Sequence, residues 1–368
     1  IKFYIRIMVS KDTIRGVLCM AKQLSVNYSL NTDCKWIYCN YPEKITKTAF
    51  ADDSGYCVNR QTVDHTGQIF YSYGTYGLDE NCYFGIRVYN PGSSTVTLTR
   101  TNYGHSDSTM DGSWAAVPAK SWERFFKSTS KTFSIPAKKS VWISEESIPF
   151  NAAFSGNLRF TTTGSVVVAA YFYHTKANIP DSTSIYPYDI NGDGKSQYSG
   201  YGDGYFLTAS EITIKLSDLV NNKEVFFETN SRSNDKFTVN GSSTIDELIP
   251  IHIAGTSLVA KRGSNPPLGN IANWSTQYFF PIKLINDIGG THEVQYSIEF
   301  PENTTDPKVQ KNVVINCGGT LSSKVLTPTD KVYIVKKTSV SNSASFNYQF
   351  IFGTNSSGFV KHVFKLLS

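Results

Sequence analysis

Residues 83–99 read YFGIRVYNPGSSTVTLT, a stretch in which apolar and polar side chains alternate on both sides of a turn-forming NPG sequence. Alternation with a period of two is the pattern of a half-buried β-strand, and Asn, Pro and Gly favour tight turns. The stretch predicts two strands paired as a hairpin or a bent strand pair. Residues 165–173, SVVVAAYFY, are apolar on both faces and predict a central, buried strand.

The composition fits a protein built from such strands. Only 18% of the residues are charged, whereas 14% are aromatic, including 22 Tyr and 23 Phe. Aromatic and β-branched residues suit the pleated, half-buried surface of a sheet. A chain of 368 residues is long enough for two domains with separate cores. We therefore predict an all-β protein, with residues 121–126 as a short helix or turn in its first half.

The second half repeats the order of the first. Residues 280–286 align with residues 84–90, and each is followed by a turn and another β-rich segment. The remaining blocks align residues 324–328 and 331–334 with 132–136 and 140–143, and residues 347–350 and 358–364 with the last two strands of the first half. Internal duplication is the simplest explanation. We predict two tandem antiparallel β-sandwich domains, Ig-like or jelly-roll-like, related by this duplication.

The predicted domain boundaries follow the composition. The first β-sandwich domain spans residues 20–179 and the second spans residues 205–368. Residues 180–204 are rich in Gly, Asp and Tyr and form the predicted linker.

Residues 1–19 are interpreted separately. They lack the basic, apolar and small-residue segments of a secretory signal. Residues 15–17, Arg-Gly-Val, can be encoded by a purine-rich ribosome-binding sequence shortly before Met20. On this interpretation Met20 is the natural start and the preceding residues are a translated leader or an artificial arm; the alternative is a genuine disordered or β-forming arm. The protein is expected to be made in a cytoplasm, with a cell or spore surface as a candidate final location.

The charge distribution argues against a nucleic-acid partner. The formal net charge is +5, and four basic residues against Asp12 supply +3 of it within residues 1–19, which leaves +2 for the remainder. No cluster of Lys and Arg exceeds a pair, as at residues 138–139 and 336–337. No apolar run approaches the ~20 residues that span a bilayer. We therefore expect neither nucleic-acid binding nor a membrane span.

The linker contains the sharpest local motif. Asp189, Asn191 and Asp193, followed by Gly194, place oxygen ligands at alternate positions before a turn, as in a calcium-binding loop. Lys195 would add a backbone carbonyl, and Asp203 or Asp181 would complete the shell. Position twelve is a glycine rather than the bidentate Glu, so the motif is incomplete. The two interpretations are a calcium site that orders the linker and a solvated turn.

Two of the five tryptophans are candidates for ligand contact. Trp114 follows the loop sequence Asp-Gly-Ser, and Trp274 follows a Gly- and Pro-rich loop at residues 263–269. An exposed indole can stack on the apolar face of a sugar ring. The alternative for each is packing beneath its own loop.

The cysteines do not have the close paired spacing of a zinc site. The two interpretations are small buried apolar side chains and disulfides, within or between chains. Cys317 lies apart from the others and is followed by two glycines, which makes it the candidate intersubunit cysteine. The six cysteines are Cys19, Cys34, Cys39, Cys57, Cys82 and Cys317.

No local signature of catalysis is present. The six His residues lack metal-ligand spacing, and no nucleophile motif occurs. Glu123, Glu145 and Glu146 are the carboxylates that a glycosidase would need, but adjacent residues of a strand point to opposite faces. We therefore expect the protein not to be an enzyme.

Three segments carry a family resemblance. Residues 36–45, 83–91 and 135–143 resemble uncharacterised tandem β-sandwich surface or accessory proteins of spore-forming Gram-positive bacteria. The resemblance covers residues 34–173, implies a surface or accessory module, and supplies no catalytic residues.

These observations lead to two main hypotheses. The first is a non-catalytic structural or assembly protein of a bacterial cell, spore or filament surface, which self-associates or joins other surface proteins through edge strands or cysteines. The alternative is a carbohydrate-binding or adhesive module. An enzyme of unrecognised type is the third and most distant hypothesis.

Overall fold

The structure, a computed structural model, is built almost entirely of β-strands, which confirms the predicted all-β class. It describes residues 21–40, 44–47, 56–174, 200–202, 204, 206–230, 251–253, 275–300, 310–354, 356 and 359–367. No helix in these ranges is long and apolar enough to cross a membrane.

The first half contains twelve strands and one helix in the part that is described. They are β1 (Lys22–Gln23), β2 (Tyr28–Asn31), β3 (Lys35–Cys39), β4 (Lys44–Thr46), β5 (Tyr56–Val63), β6 (Thr66–Gly77), β7 (Cys82–Tyr89), β8 (Val96–Asp107), α1 (Val117–Lys127), β9 (Lys131–Ile135), β10 (Ser140–Ile148), β11 (Ala153–Thr162) and β12 (Val166–Tyr173).

The second half has the same composition of elements. They are β13 (Gly200–Gly202), β14 (Phe206–Ala209), β15 (Ile212–Lys215), α2 (Leu216–Asn221), β16 (Val225–Asn230), β17 (Ile251–Ile253), β18 (Gln277–Ile285), β19 (His292–Glu299), β20 (Lys311–Cys317), β21 (Thr320–Leu326), β22 (Val332–Val340), β23 (Ser343–Phe352) and β24 (Phe359–Leu366).

Eight strands of the first half form a jelly roll. One sheet has the order β5-β12-β7-β10 and the other contains β6-β11-β8-β9, with antiparallel pairing throughout these strands. Alternate side chains of the two sheets meet in one apolar core. Strand β12 is buried along its whole length between β5 and β7, as the apolar run predicted.

The second half repeats this topology strand for strand. Its sheets have the orders β16-β24-β19-β22 and β18-β23-β20-β21, so the eight strands correspond to β5 to β12 in sequence and in position. Strands β10 and β22 even share a bulge at the equivalent residue, Ile143 in one and Val335 in the other. The predicted duplication is confirmed, and the order of strands selects the jelly roll over the Ig-like alternative.

Two details of the sequence prediction are wrong. Strands β7 and β8 lie in opposing sheets and do not pair, because the chain crosses between sheets at residues 90–95. The Asn90 amide stabilises this crossing by donating to the carbonyls of Ser94 (2.8 Å) and Ile135 (2.9 Å). In addition, Phe280 lies in β18, the counterpart of β6, so residues 280–286 are not equivalent to residues 84–90. The other aligned blocks fall in corresponding strands.

The two halves exchange strands. Strand β2 directly precedes β3 in the chain, yet it pairs antiparallel with β14 of the second half. Strand β13 directly precedes β14, yet it pairs antiparallel with β3 of the first half. Strands β3 and β14 in turn pair parallel with the equivalent strands β6 and β18. The exchange is therefore reciprocal, and strand pairing crosses the domain boundaries predicted at residues 179 and 205, which stay a prediction.

Helix α1 packs between the two jelly rolls. Its Trp122 and Phe125 are buried together with Val314 and Ile351 of the second half. The helix approaches both backbones closely because a glycine lies at each contact. A Cβ added at Gly104 would lie 2.0 Å from the Ser121 carbonyl oxygen and 2.3 Å from the Phe125 amide nitrogen.

On the opposite side of α1, a Cβ added at Gly353 would lie 2.7 Å from Cβ of Pro118. Polar contacts reinforce the same junction: Ser323 Oγ donates to Glu123 Oε1 (2.5 Å), and Arg159 donates to both Gln68 and Gln277 (3.0 and 3.3 Å). The two halves thus form one continuous packed unit.

Candidate functional site: exposed aromatics and edge strands

Five large apolar side chains are exposed at one end of the first jelly roll, and we call this surface the aromatic end. Trp114 and Phe150 are each 50% exposed. All five lie at strand ends or in the loops 78–81, 108–116 and 149–152 at this end of the sandwich; the first and last connect strands, and 108–116 connects β8 to α1. The residues are Tyr76, Tyr83, Met110, Trp114 and Phe150.

The loops of the aromatic end are held together by hydrogen bonds. The Phe150 amide donates to Asn81 Oδ1 (3.0 Å), and the Ala153 amide donates to Ser108 Oγ (3.1 Å). Asp107 Oδ1 accepts from the amides of Thr109 (2.8 Å) and Met110 (2.9 Å). The exposed aromatic side chains are therefore carried by ordered loops.

An ion pair fixes the loop that carries Trp114. Arg124 of α1 donates to both carboxylate oxygens of Asp111 (2.9 and 3.0 Å). Burial alone would raise the pKa of Asp111, but the hydrogen bonds from Arg124 and Ser106 outweigh it and lower the pKa. The carboxylate therefore stays charged and keeps the loop against the helix.

The structure places one of the two predicted tryptophans at this surface. Trp114 is exposed, whereas Trp274 lies outside the described residues. Ligand contact by either residue stays a prediction. Sequence reasoning did not single out Tyr76, Tyr83 or Phe150; their positions beside the turn-forming segments at residues 77–81 and 149–151 were the available signal.

A chain of polar side chains crosses the interior of the first jelly roll. Glu146 accepts a hydrogen bond from the Tyr103 hydroxyl, which lies 3.4 Å from the Tyr71 hydroxyl, and Tyr71 in turn lies 3.1 Å from Nδ1 of His105. The His105 ring lies 3.9 Å from Asp107. These residues are candidates for acid–base chemistry by type, so their environment decides the interpretation.

Burial dominates that environment. It lowers the pKa of His105 to about 4 and raises the pKa of Tyr71 well above its usual value. It also raises the pKa of Glu146, although Tyr103 and Arg100 oppose the shift. His105 and Tyr71 are buried in the core, away from any solvent-borne substrate. Hydrogen bonds within the core therefore satisfy the polar atoms of these two side chains.

The neighbouring Glu145 points the other way. It is exposed on the outer face of β10, near the Tyr173 hydroxyl, while Glu146 faces the core side. The two carboxylates therefore do not face one cleft. Glu123 lies at the junction, bound to Lys120 and Ser323.

The cysteines are described at five positions, and all five are free thiols. Burial raises the pKa of Cys57 and Cys82 to about 12, and it also raises the pKa of Cys39. Among these five, Cys317 alone is only partly buried. The four buried thiols are Cys34, Cys39, Cys57 and Cys82, and none of them can reach a second chain in the folded state.

Cys317 ends β20 at a two-residue hairpin. Gly318 and Gly319 have φ values of 57° and 84°, which is the left-handed pair that a tight hairpin requires. Partial burial raises the pKa of the Cys317 thiol, although Lys336 opposes the shift. This thiol is therefore accessible but not activated, and its role between subunits stays a prediction.

The predicted calcium ligands lie outside the described residues. They are Asp189, Asn191, Asp193, Lys195 and Asp203, together with Asp181. Within the described ranges, no group of three His, Cys, Asp or Glu side chains could hold a metal ion. The calcium site stays a prediction.

Equivalent strands of the two jelly rolls lie at sheet edges: β9 and β21 form one such pair, and β10 and β22 form another. Strand β10 pairs only with β7, and β22 pairs only with β19, among the strands that are described. Val332 and Ile334 of β22 are 47% and 49% exposed. An exposed edge strand offers unpaired backbone groups to another chain.

Comparison with known proteins identifies no family. No family model and no curated protein matches the chain. Among solved structures, the tandem CBM22-1-CBM22-2 domain of Paenibacillus barcinonensis Xyn10C is 8% identical, with a TM-score of 0.16 over 87% of this chain and 96% of that one.

The CupB6 tip adhesin from Pseudomonas aeruginosa is 11% identical, with a TM-score of 0.16 over 89% of this chain and 88% of that one. The T=1 Penaeus vannamei nodavirus structure is 8% identical, with a TM-score of 0.17 over 94% and 99%. TM-scores this low carry no argument about function.

Proposed function

We propose that this protein is a non-catalytic structural subunit that assembles with copies of itself, at the surface of a bacterial cell, spore or filament. The observation that supports this most strongly is the joining of two jelly rolls by reciprocal strand exchange and by helix α1. Such a joint produces a stiff building block whose two halves present equivalent edge strands. Jelly rolls also serve as lectin domains, so the fold alone does not decide the function.

Further features support assembly over turnover. His105 and Tyr71, whose types suit acid–base chemistry, are buried in the core. The described surface includes edge strands, the aromatic end and a partly exposed thiol at Cys317. The placement at a bacterial surface rests on the sequence resemblance of residues 34–173.

Sedimentation velocity of the purified protein over a hundredfold concentration range tests the proposal. We expect the weight-average mass to rise with concentration, both with and without reductant, because edge strands rather than thiols make the main contact. A further rise without reductant that disappears in a Cys317→Ser variant would assign a secondary role to this cysteine. A strict monomer at every concentration would contradict the proposal.

The aromatic end favours a second candidate function, carbohydrate binding or adhesion. Exposed aromatic rings on ordered loops suit stacking against sugar rings. Calorimetric titration with soluble cell-wall glycans should then give heat that a Trp114→Ala variant loses. A Trp142→Ala variant is the matched control, because Trp142 packs against Tyr171 and Tyr173 on the outer face of a sheet. Equal heats in all three proteins would remove this candidate.

A further inference from the structure

The equivalent edge strands β10 and β22 carry opposite charges at equivalent positions. Strand β10 reads SVWISEESI and strand β22 reads VYIVKKTSV, and each has nine residues. The shared bulge aligns the sequences of the two strands without a gap. In this alignment Glu145 of β10 occupies the position that is equivalent to Lys337 of β22. Both side chains are exposed on the outer faces of their sheets.

From this we infer that β10 of one copy pairs with β22 of a second copy, which joins the two sheets into one. This inference rests on the proposed function and specifies the contact that carries assembly. Equal length and a bulge at the same position give the two edge strands a similar local bend and twist.

The charges select the partner strand. Pairing β10 with another β10 brings Glu145 and Glu146 close to their own copies, and pairing β22 with another β22 does the same for Lys336 and Lys337. Like charges on opposing strands are destabilising, whereas opposite charges are stabilising. The edge charges therefore block the two identical pairings and favour the mixed one.

Glu145 and Lys337 are the residues through which this selection can be tested. Their neighbours are less suitable, because Glu146 accepts a hydrogen bond from Tyr103 and Lys336 lies 5.3 Å from the centre of the Phe346 ring. An antiparallel pairing that sets Glu145 against Lys337 also brings Ser147 towards Val335 and Ile334. The exposed Ile334 side chain of β22 then lies beside β10 of the other copy.

Because β10 and β22 lie on different halves of the chain, the contact is heterologous. Each copy uses one edge to bind the preceding copy and the other edge to bind the next. Such a contact produces either a ring or an open filament, depending on whether the rotation between copies closes.

Charge reversal tests the pairing. The variants Glu145→Lys and Lys337→Glu each place like charges on both edge strands. Each variant alone should therefore associate at least about tenfold more weakly than the wild type. An equimolar mixture of the two variants restores opposite charges at every contact, as does the double variant. Both should regain wild-type association in sedimentation velocity at low salt.

Matched controls are Asp64→Lys and Lys223→Glu, which reverse exposed charges away from β10 and β22. They should associate like the wild type. Thermal unfolding of each protein confirms that the substitutions leave the fold intact. Wild-type association by the single variants, or failure of the mixture to recover, would overturn the β10–β22 contact while the proposed assembly function stands. A monomeric wild type would overturn both.

Discussion

At the scale of single residues, two glycines control how helix α1 is seated. Gly104 of β8 and Gly353, next to β23, allow the helix to touch the backbone of both jelly rolls. Neither position has a positive φ angle, so the requirement comes from space alone.

We therefore expect Gly104→Ala to lower the free energy of unfolding by about 3 kcal/mol, because its Cβ meets helix backbone that cannot rotate away. Gly112→Ala is the control. Its φ is 70° with nothing within 4 Å of the added Cβ, so backbone strain alone should cost about 1 kcal/mol. Urea unfolding measures both values, and equal losses in the two variants would contradict the steric account.

His362 makes stability depend on pH. Its ring lies within 3.0 Å of the hydroxyls of Tyr296 and Tyr348 and within 2.8 Å of that of Thr229. Burial lowers its pKa to about 3, whereas the unfolded value is about 6.5. Below pH 6.5 the unfolded chain binds a proton here and the folded chain does not, until about pH 3.

The free energy of unfolding should consequently fall as pH falls through this window, and no stability is lost through this group above it. A His362→Phe variant is expected to be less stable at pH 7, because three hydroxyls lose a partner, but to lose less stability between pH 7 and pH 5 than the wild type. Exposed His65→Gln is the control and should follow the wild type. Parallel pH dependence in all three proteins would exclude this role.

At the scale of elements, α1 couples the two jelly rolls. Trp122 is fully buried, and its ring lies 4.8 Å from that of Phe125 within a cluster that includes strands of the second half. Trp122→Ala should cost about 3–5 kcal/mol and should split the calorimetric unfolding transition into two. Trp142→Ala, on the outer face of the first jelly roll, should leave a single transition. An unsplit transition for Trp122→Ala would show that α1 does not couple the halves.

Strand identity was largely predictable, and strand partnership was not. Alternation of apolar and polar residues marked β7, and the continuous apolar run marked β12, because side-chain period reports burial directly. The same period recurs in many strands. For this reason residues 280–286, which begin within β18, aligned with β7 although β18 is the counterpart of β6. Pairing depends on which sheet the chain enters after a turn, and Asn90 controls this through contacts with residues distant in sequence.

At the candidate site, too, single features were predictable from the sequence, whereas their arrangement in space was not. The loop that carries Trp114 was recognisable from its Asp-Gly-Ser sequence, but the convergence of three loops at the aromatic end depends on topology. Glu145 and Lys337 could not be related from sequence, because the equivalence of β10 and β22 at single-residue precision follows from their shared bulge.

At the scale of the whole molecule, the N-terminal strands belong to the distant half. Strands β1 and β2 pair with β16 and β14. Deleting residues 1–31 should therefore increase hydrogen exchange in β14 and β16 and leave β5 to β12 protected. Mass spectrometry of exchanged peptides measures this pattern. Increased exchange confined to the first jelly roll would contradict the strand exchange.

The reciprocal strand exchange also constrains how the protein is synthesised. Ser29 of β2 and its partner Thr208 of β14 are 179 residues apart. At the usual ribosomal speed of about 5–20 residues per second, β2 waits roughly 9–36 s for its partner to be translated. Strand β3 waits similarly for β13. Neither half can complete its sheets while the chain is only half made, so nascent chains expose open strand edges during this interval, and such edges favour aggregation.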